Sequence, residues 1–287
     1  MLITLKDMMG IAEKEKIAIG GFNTPNLASL EAVIGAAEEE KLPVILMFAE
    51  CHDEWVSLDL IGPAMLKAAK QATVPVCVHL DHGEHLEYLK KALELGFTGI
   101  MYDGSVLPYE ENVANTKKAV EMAKKYGASV EAELGSMGRR ESGANDRSGD
   151  CDETKIYTDP NLAAEFVSET GIDLLACSFG TTHGIYLKEP KLDLGIVRRV
   201  RNITNDMPVV MHGGSGVSRD DYHAVIQAGV RKINYFTYMD KAGGSGAKKH
   251  LDSLAPDAPQ FYSSVFLAAR DEMKENVRHA IRMFALK

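Results

Sequence analysis

Three histidines are the residues of this sequence whose placement most clearly invites chemistry. His82 lies in His79-Leu80-Asp81-His82-Gly83, His183 in Phe179-Gly180-Thr181-Thr182-His183-Gly184, and His212 in His212-Gly213-Gly214-Ser215-Gly216. Any one alone reads more readily as an ordinary hydrogen-bonded histidine. Brought together, they would supply three imidazole ligands and leave a fourth position open, the arrangement of a catalytic zinc. Asp81, beside His82, is then a general acid/base next to the metal or a carboxylate that orients a ligand. Asp103 and Glu133 suit a second cation or the orientation of the ligand histidines, and spacing does not choose between these roles. His79 and His85 are read as structural.

These residues must be positioned by something, and the apolar pattern says what. Short β-branched or apolar runs recur at 17–22, 44–49, 76–80, 99–102, 129–134, 173–178, 209–212 and 232–237, each followed by a longer segment. Helical periodicity fills 27–40, 58–71, 86–95, 110–126, 161–170, 194–204 and 219–228, with a final helix at 263–284. Alternation of this kind builds a parallel sheet, and eight strand signals favour a closed (β/α)₈ TIM barrel over an open sheet. The whole chain, 1–287, reads as one barrel domain with a C-terminal helical extension from about 260. Catalytic groups of such barrels sit at the C-terminal ends of the strands, where His82, Asp103, Glu133, His183 and His212 all fall. The glycine run 213–216 after strand seven and residues 234–237 after strand eight occupy the usual place for phosphate binding by backbone N–H groups. Two polar, glycine-containing stretches, 139–158 and 241–259, read as loops, the first as a mobile loop over the site.

Composition narrows the function. A formal charge of −9 over 287 residues argues against nucleic acid as the main partner, whereas a small anionic substrate needs only a few local donors. The four cysteines show no Cys-x-x-Cys spacing, which points to a reducing compartment and away from a cysteine metal site. No signal-peptide layout or bilayer-length apolar run is present, so no membrane partner and a cytoplasmic location are expected.

At this level of detail the sequence resembles the class II fructose-bisphosphate and tagatose-bisphosphate aldolases, from Gly20-Gly21-Phe22-Asn23 through Thr237. The resemblance rests on His79-Leu80-Asp81-His82-Gly83, the 103–112 segment beginning Asp103-Gly104-Ser105, Glu131-Ala132-Glu133-Leu134-Gly135, Phe179 to Gly184 with Glu189-Pro190-Lys191-Leu192-Asp193, and His212-Gly213-Gly214-Ser215-Gly216. It implies a zinc-dependent lyase in which His82, His183 and His212 hold Zn2+, and Asp81 is the proton donor. Glu141, in the long loop, would move protons at the carbon of the enediolate. Asn23, Gly184, Gly213, Gly214, Ser215, Asn234, Tyr235, Phe236 and Thr237 would bind a phosphorylated ketose or dihydroxyacetone phosphate. Asp103 and Glu133 would hold a second or displaced cation, divalent or monovalent, and the chain would form a homo-oligomer, dimer or tetramer.

Several positions depart from the family pattern: Met47 and Ala49 stand where Gln and Ser are usual, followed by Glu50 and Cys51, and Arg139 and Arg140 stand where glycine is common. Tyr235-Phe236 interrupts the strand-eight signature. These changes fall on the aldehyde side and leave the metal and ketone side intact. A Schiff-base mechanism would need a lysine at the strand C-termini. Lys232 is read at the start of strand eight, the opposite end. The rival readings are a non-catalytic relative supporting a partner subunit and a zinc hydrolase on the same barrel. The first is disfavoured by the retained histidines and Asp81, the second by the phosphate-type glycine run.

Overall fold

The computed structural model describes residues 1–135, 157–182, 184 and 190–287. Eight parallel strands pair in sequence order and close on themselves, β1 with β8. They are β1 (Ile19–Asn23), β2 (Val44–Ala49), β3 (Val76–Gly83), β4 (Gly99–Tyr102), β5 (Ser129–Leu134), β6 (Leu174–Cys177), β7 (Val209–Met211) and β8 (Val230–Asn234). The helices are α1 (Leu5–Glu15), α2 (Leu27–Glu40), α3 (Leu58–Gln71), α4 (Leu86–Leu95), α5 (Tyr109–Tyr126), α6 (Pro160–Thr170), α7 (Leu194–Ile203), α8 (Arg219–Ala228), α9 (Thr237–Asp252) and α10 (Tyr262–Phe284). The expected TIM barrel is therefore present. Gly96, Gly127 and Gly171 end α4, α5 and α6 in the left-handed conformation, as the sequence indicates.

The structure differs from the sequence pattern in three places. Helix α1 carries Leu5, Met8, Met9 and Ala12 at helical spacing, and these residues pack with the inward-facing Ile19, Ile45, Cys77, Leu174 and Val210. It plugs the end of the barrel where the strands begin, and its apolar stripe is the sequence signal that marks it. The stretch read as a loop from 241 is helical to Asp252, because Gly243 and Gly246 let α9 lie close against α10. A Cβ on Gly246 would stand 2.7 Å from Glu272 Cγ, and one on Gly243 would run into Met273. Strand eight is Val230–Asn234 rather than 232–237, which puts Lys232 at its centre.

The two faces of the strands divide the labour. Outward residues such as Phe22, Leu46, Phe48, Val78, Leu80 and Ile100 join the helix layer. Inward residues are apolar near α1 and become polar toward the strand C-termini, so buried charge is concentrated at one end.

Candidate functional site

Strand alternation alone would send Asp81 and His82 to opposite faces. The register of β3 against β4 shifts between Leu80 and Gly83, and His82 takes φ 44°, in the left-handed region. A residue held there costs on the order of 1–3 kcal/mol and persists where its surroundings impose it. Here the deviation turns two consecutive residues toward the barrel mouth.

His82 Nδ1 lies 2.7 Å from Asp103 Oδ2, and Asp103 Oδ1 accepts from the Ser105 amide at 3.1 Å and hydroxyl at 2.7 Å. His212 is completely buried, its Nε2 2.8 Å from Glu131 Oε1 and its Nδ1 3.4 Å from Glu133 Oε2. The His82 and His212 rings meet edge to face with centroids 4.7 Å apart. Both oxygens of Asp81 accept from amides: Asn23 Nδ2 at 2.9 Å and Asn234 Nδ2 at 3.0 Å.

Electrostatics single out this place as cation-seeking. Asp81, Asp103, Glu131 and Glu133 are all 5% exposed or less, and the ammonium beside them is Lys232. Burial disfavours charge on His82, yet Asp81, Asp103 and Glu133 outweigh it and raise the imidazole to about 10. Burial would also raise Asp81, but His82, Lys232 and His212 hold it well below the usual carboxylate range. Glu133 is raised by its own burial and by Asp103. Donor atoms of Asp81, His82 and His212 lie within 4.8 Å of one another, as do those of His82, Asp103 and Glu133. Both sets suit a divalent cation: the first has two imidazoles and a carboxylate, the second is richer in oxygen. His183 and Glu141 lie outside the described residues.

Above these groups is an open cavity lined by Asn23, Asp81, His82, Gly184, Gly213, Gly214, Ser215 and residues 234–237. Every substrate-side residue named from the sequence thus borders one space. Gly213 has φ 62°, and a Cβ there would collide with the Thr182 backbone, so only glycine lets these two loops approach. Ser215 Oγ accepts from the Phe236 amide at 3.2 Å, tying the β7 and β8 loops together. Helix α9 begins at Thr237, which borders the cavity, and no side chain caps its first turn. Tyr235 borders the cavity, and its ring packs against Phe22 and Phe284 with centroids 5.8 and 6.0 Å away.

The family departures divide. Met47 belongs to the apolar cluster shared with α1 and does not reach the mouth. Ala49 pairs in register with Asp81. Glu50 caps a loop, accepting from the amides of Glu84 and His85 at 2.7 and 3.2 Å and meeting His85 Nδ1 at 2.6 Å. Phe236 joins an aromatic group that the sequence does not foreshadow, with His52 5.1 Å away and Trp55 stacked on His52 at 4.5 Å. Burial, reinforced by His82 and opposed by Asp81, lowers the His52 imidazole from 6.5 to about 4.

Because the unfolded chain takes up this proton at higher pH than the native one, the stability His52 contributes is intact above pH 6.5 and lost as pH falls toward 4. His52→Phe should abolish that component, on the order of 2–3 kcal/mol between neutrality and pH 4. Urea denaturation of both proteins across this range checks it, and identical pH slopes would refute the assignment.

The residues that sequence reasoning does not reach are Glu131 and Lys232. Glu131 stands two positions before Glu133 on one strand, hence on the same face, and that spacing is the available signal. Lys232 and His79, read as remote and structural respectively, both lie beneath the mouth: His79 Nε2 is 3.5 Å and Lys232 Nζ 2.8 Å from Glu131 Oε2.

The chain is similar to known proteins over nearly its whole length. The family model described as "Fructose-bisphosphate aldolase class-II" matches residues 3–287. A probable fructose-bisphosphate aldolase of Bacillus subtilis (strain 168) is 39% identical over 287 residues, covering 99% of this chain and 97% of that one. The fructose-bisphosphate aldolase of Geobacillus stearothermophilus is 38% identical over 288 residues, covering 99% and 96%. The crystal structure of the YdjI aldolase from Escherichia coli K12 superposes with a TM-score of 0.86 at 35% identity, covering 99% of this chain and 97% of that one. Among the described residues no helix is long and apolar enough to cross a membrane.

Proposed function

The chain belongs to the class II fructose-bisphosphate aldolase family, and from that membership we propose that it reversibly cleaves a phosphorylated ketose to dihydroxyacetone phosphate and an aldehyde, using zinc held by His82, His183 and His212. The observation that carries the proposal is the pair of amides on Asp81. Asn23 and Asn234 fix both carboxylate oxygens at the cavity beside His82 and His212. A divalent cation there would supply Lewis acidity toward the ketone oxygen and offset the negative charge left by carbon–carbon cleavage.

This chain's own residues would do the rest. Asp81, held ionised by its neighbours, accepts the proton of the C4 hydroxyl in cleavage and returns it to the aldehyde oxygen in condensation. Buried Asn23 Oδ1 has no hydrogen-bond partner among the described residues and would accept from a substrate hydroxyl. Gly213 to Ser215 and the uncapped start of α9 would hold the phosphate through backbone N–H groups. Glu141 keeps its proposed part, proton transfer at the ketone-side carbon. Asp103 and Glu133 would take a second cation or steady His82.

A screen of phosphorylated ketoses, scoring dihydroxyacetone phosphate release, tests this reading. Release by at least one ketose, lost in chelator and restored by zinc, is the expected outcome. Full activity in chelator, or no release from any ketose, would overturn it.

A further inference from the structure

A lysine with no exposed surface, at the centre of a barrel strand, is costly unless its charge and donors are used. Lys232 Nζ stands 2.8 Å from Glu131 Oε2 and 2.8 Å from Asn234 Oδ1. Each contact leads onward. Glu131 Oε1 meets His212 Nε2 at 2.8 Å, and Asn234 Nδ2 reaches Asp81 Oδ1 at 3.0 Å.

Donor and acceptor chemistry fixes the direction of both chains. An ammonium only donates, so the atom of Asn234 facing it must be the amide oxygen. The amide nitrogen then faces Asp81, which as a carboxylate only accepts. Ionised Glu131 likewise only accepts, so His212 Nε2 must carry a hydrogen, and the ring can ligate a cation only through the lone pair of Nδ1. Nδ1 is the side of the ring toward Glu133.

Resting on the proposed metal reading, we infer that Lys232 is a positioning residue for both halves of the site: through Glu131 it holds His212 with Nδ1 directed at the cation, and through Asn234 it sets the amide that orients Asp81. One ammonium beneath the barrel mouth thus couples the metal ligand to the acid/base carboxylate. The competing explanation is that Lys232 merely neutralises Glu131. The double variant Lys232→Met/Glu131→Gln, which leaves no buried ion unpaired, set beside Glu131→Gln separates the two: a mere neutraliser is dispensable once Glu131 is uncharged, whereas a positioning lysine is still needed at Asn234.

The expected result is zinc affinity, by chelator competition, weakened about 10- to 100-fold, as is typical when an outer partner of a ligand histidine is lost. The melting temperature of the metal-free protein should change little, and kcat should fall more than KM rises. Wild-type zinc affinity and kcat in a folded double variant would overturn the inference. Should the double variant not fold, ¹⁵N spectra of the zinc-loaded wild type decide. His212 metallated at Nδ1, with a Lys232 ammonium slow to exchange with solvent, supports the inference, and metallation at Nε2 refutes it. The control is His212→Ala. If it binds zinc like wild type, the metal reading itself fails, whereas its loss of zinc beside an unaffected double variant sinks only the role of Lys232.

Discussion

Replacing His212 by alanine should remove zinc binding and, with it, carbon–carbon cleavage. A structural zinc with four protein ligands contributes roughly 10–16 kcal/mol, or about 2.5–4 kcal/mol per ligand, so losing one of the three proposed histidine ligands should weaken affinity by about two to three powers of ten. The scaffold should survive the change, because Glu131, the charge that His212 would leave behind, keeps its ion pair with Lys232 at 2.8 Å. Metal analysis after dialysis, activity with added zinc and a melting curve of the metal-free variant together check the expectation. Stoichiometric zinc retained through dialysis would remove His212 from the ligand set.

Asp81→Ala should do the reverse, keeping zinc while losing cleavage. General acid/base groups typically contribute about 10²–10⁴ in rate, and a loss of that size in kcat is expected here. The metal should stay within about tenfold of wild-type affinity, because the three proposed histidine ligands are retained. Asp81 does lie within reach of the same cation as His82 and His212. A variant that loses zinc along with activity would therefore make Asp81 a ligand instead of the proton carrier. Titration with zinc, set beside the steady-state rate, separates the two outcomes.

Much of this site is legible in the amino-acid sequence, because barrel strands are short and their C-terminal ends are marked by polar residues and glycines. That rule places His82, Asp103, Glu133 and His212 each at a strand end, and all four meet around one mouth. The residues lining the cavity are legible for the same reason, since the glycine run 213–216 and residues 234–237 follow the last two strands. Helix α9 is hidden in the sequence because the penalty for glycine in a helix is local, while the benefit, close contact with Met273 and Glu272 on α10, is tertiary.

The sequence by itself determined the order of strands and helices, the end of the barrel that carries chemistry, and the residue types gathered there. These follow from periodicity and turn residues, which act over a few positions along the chain. Tertiary structure alone decided that neighbours Asp81 and His82 share a face, since this depends on the register shift against β4. It likewise decided that Lys232 points inward between Glu131 and Asn234, one layer beneath Asp81. Which residues of separate strands stand side by side is set by barrel closure, and no spacing within a single strand encodes it.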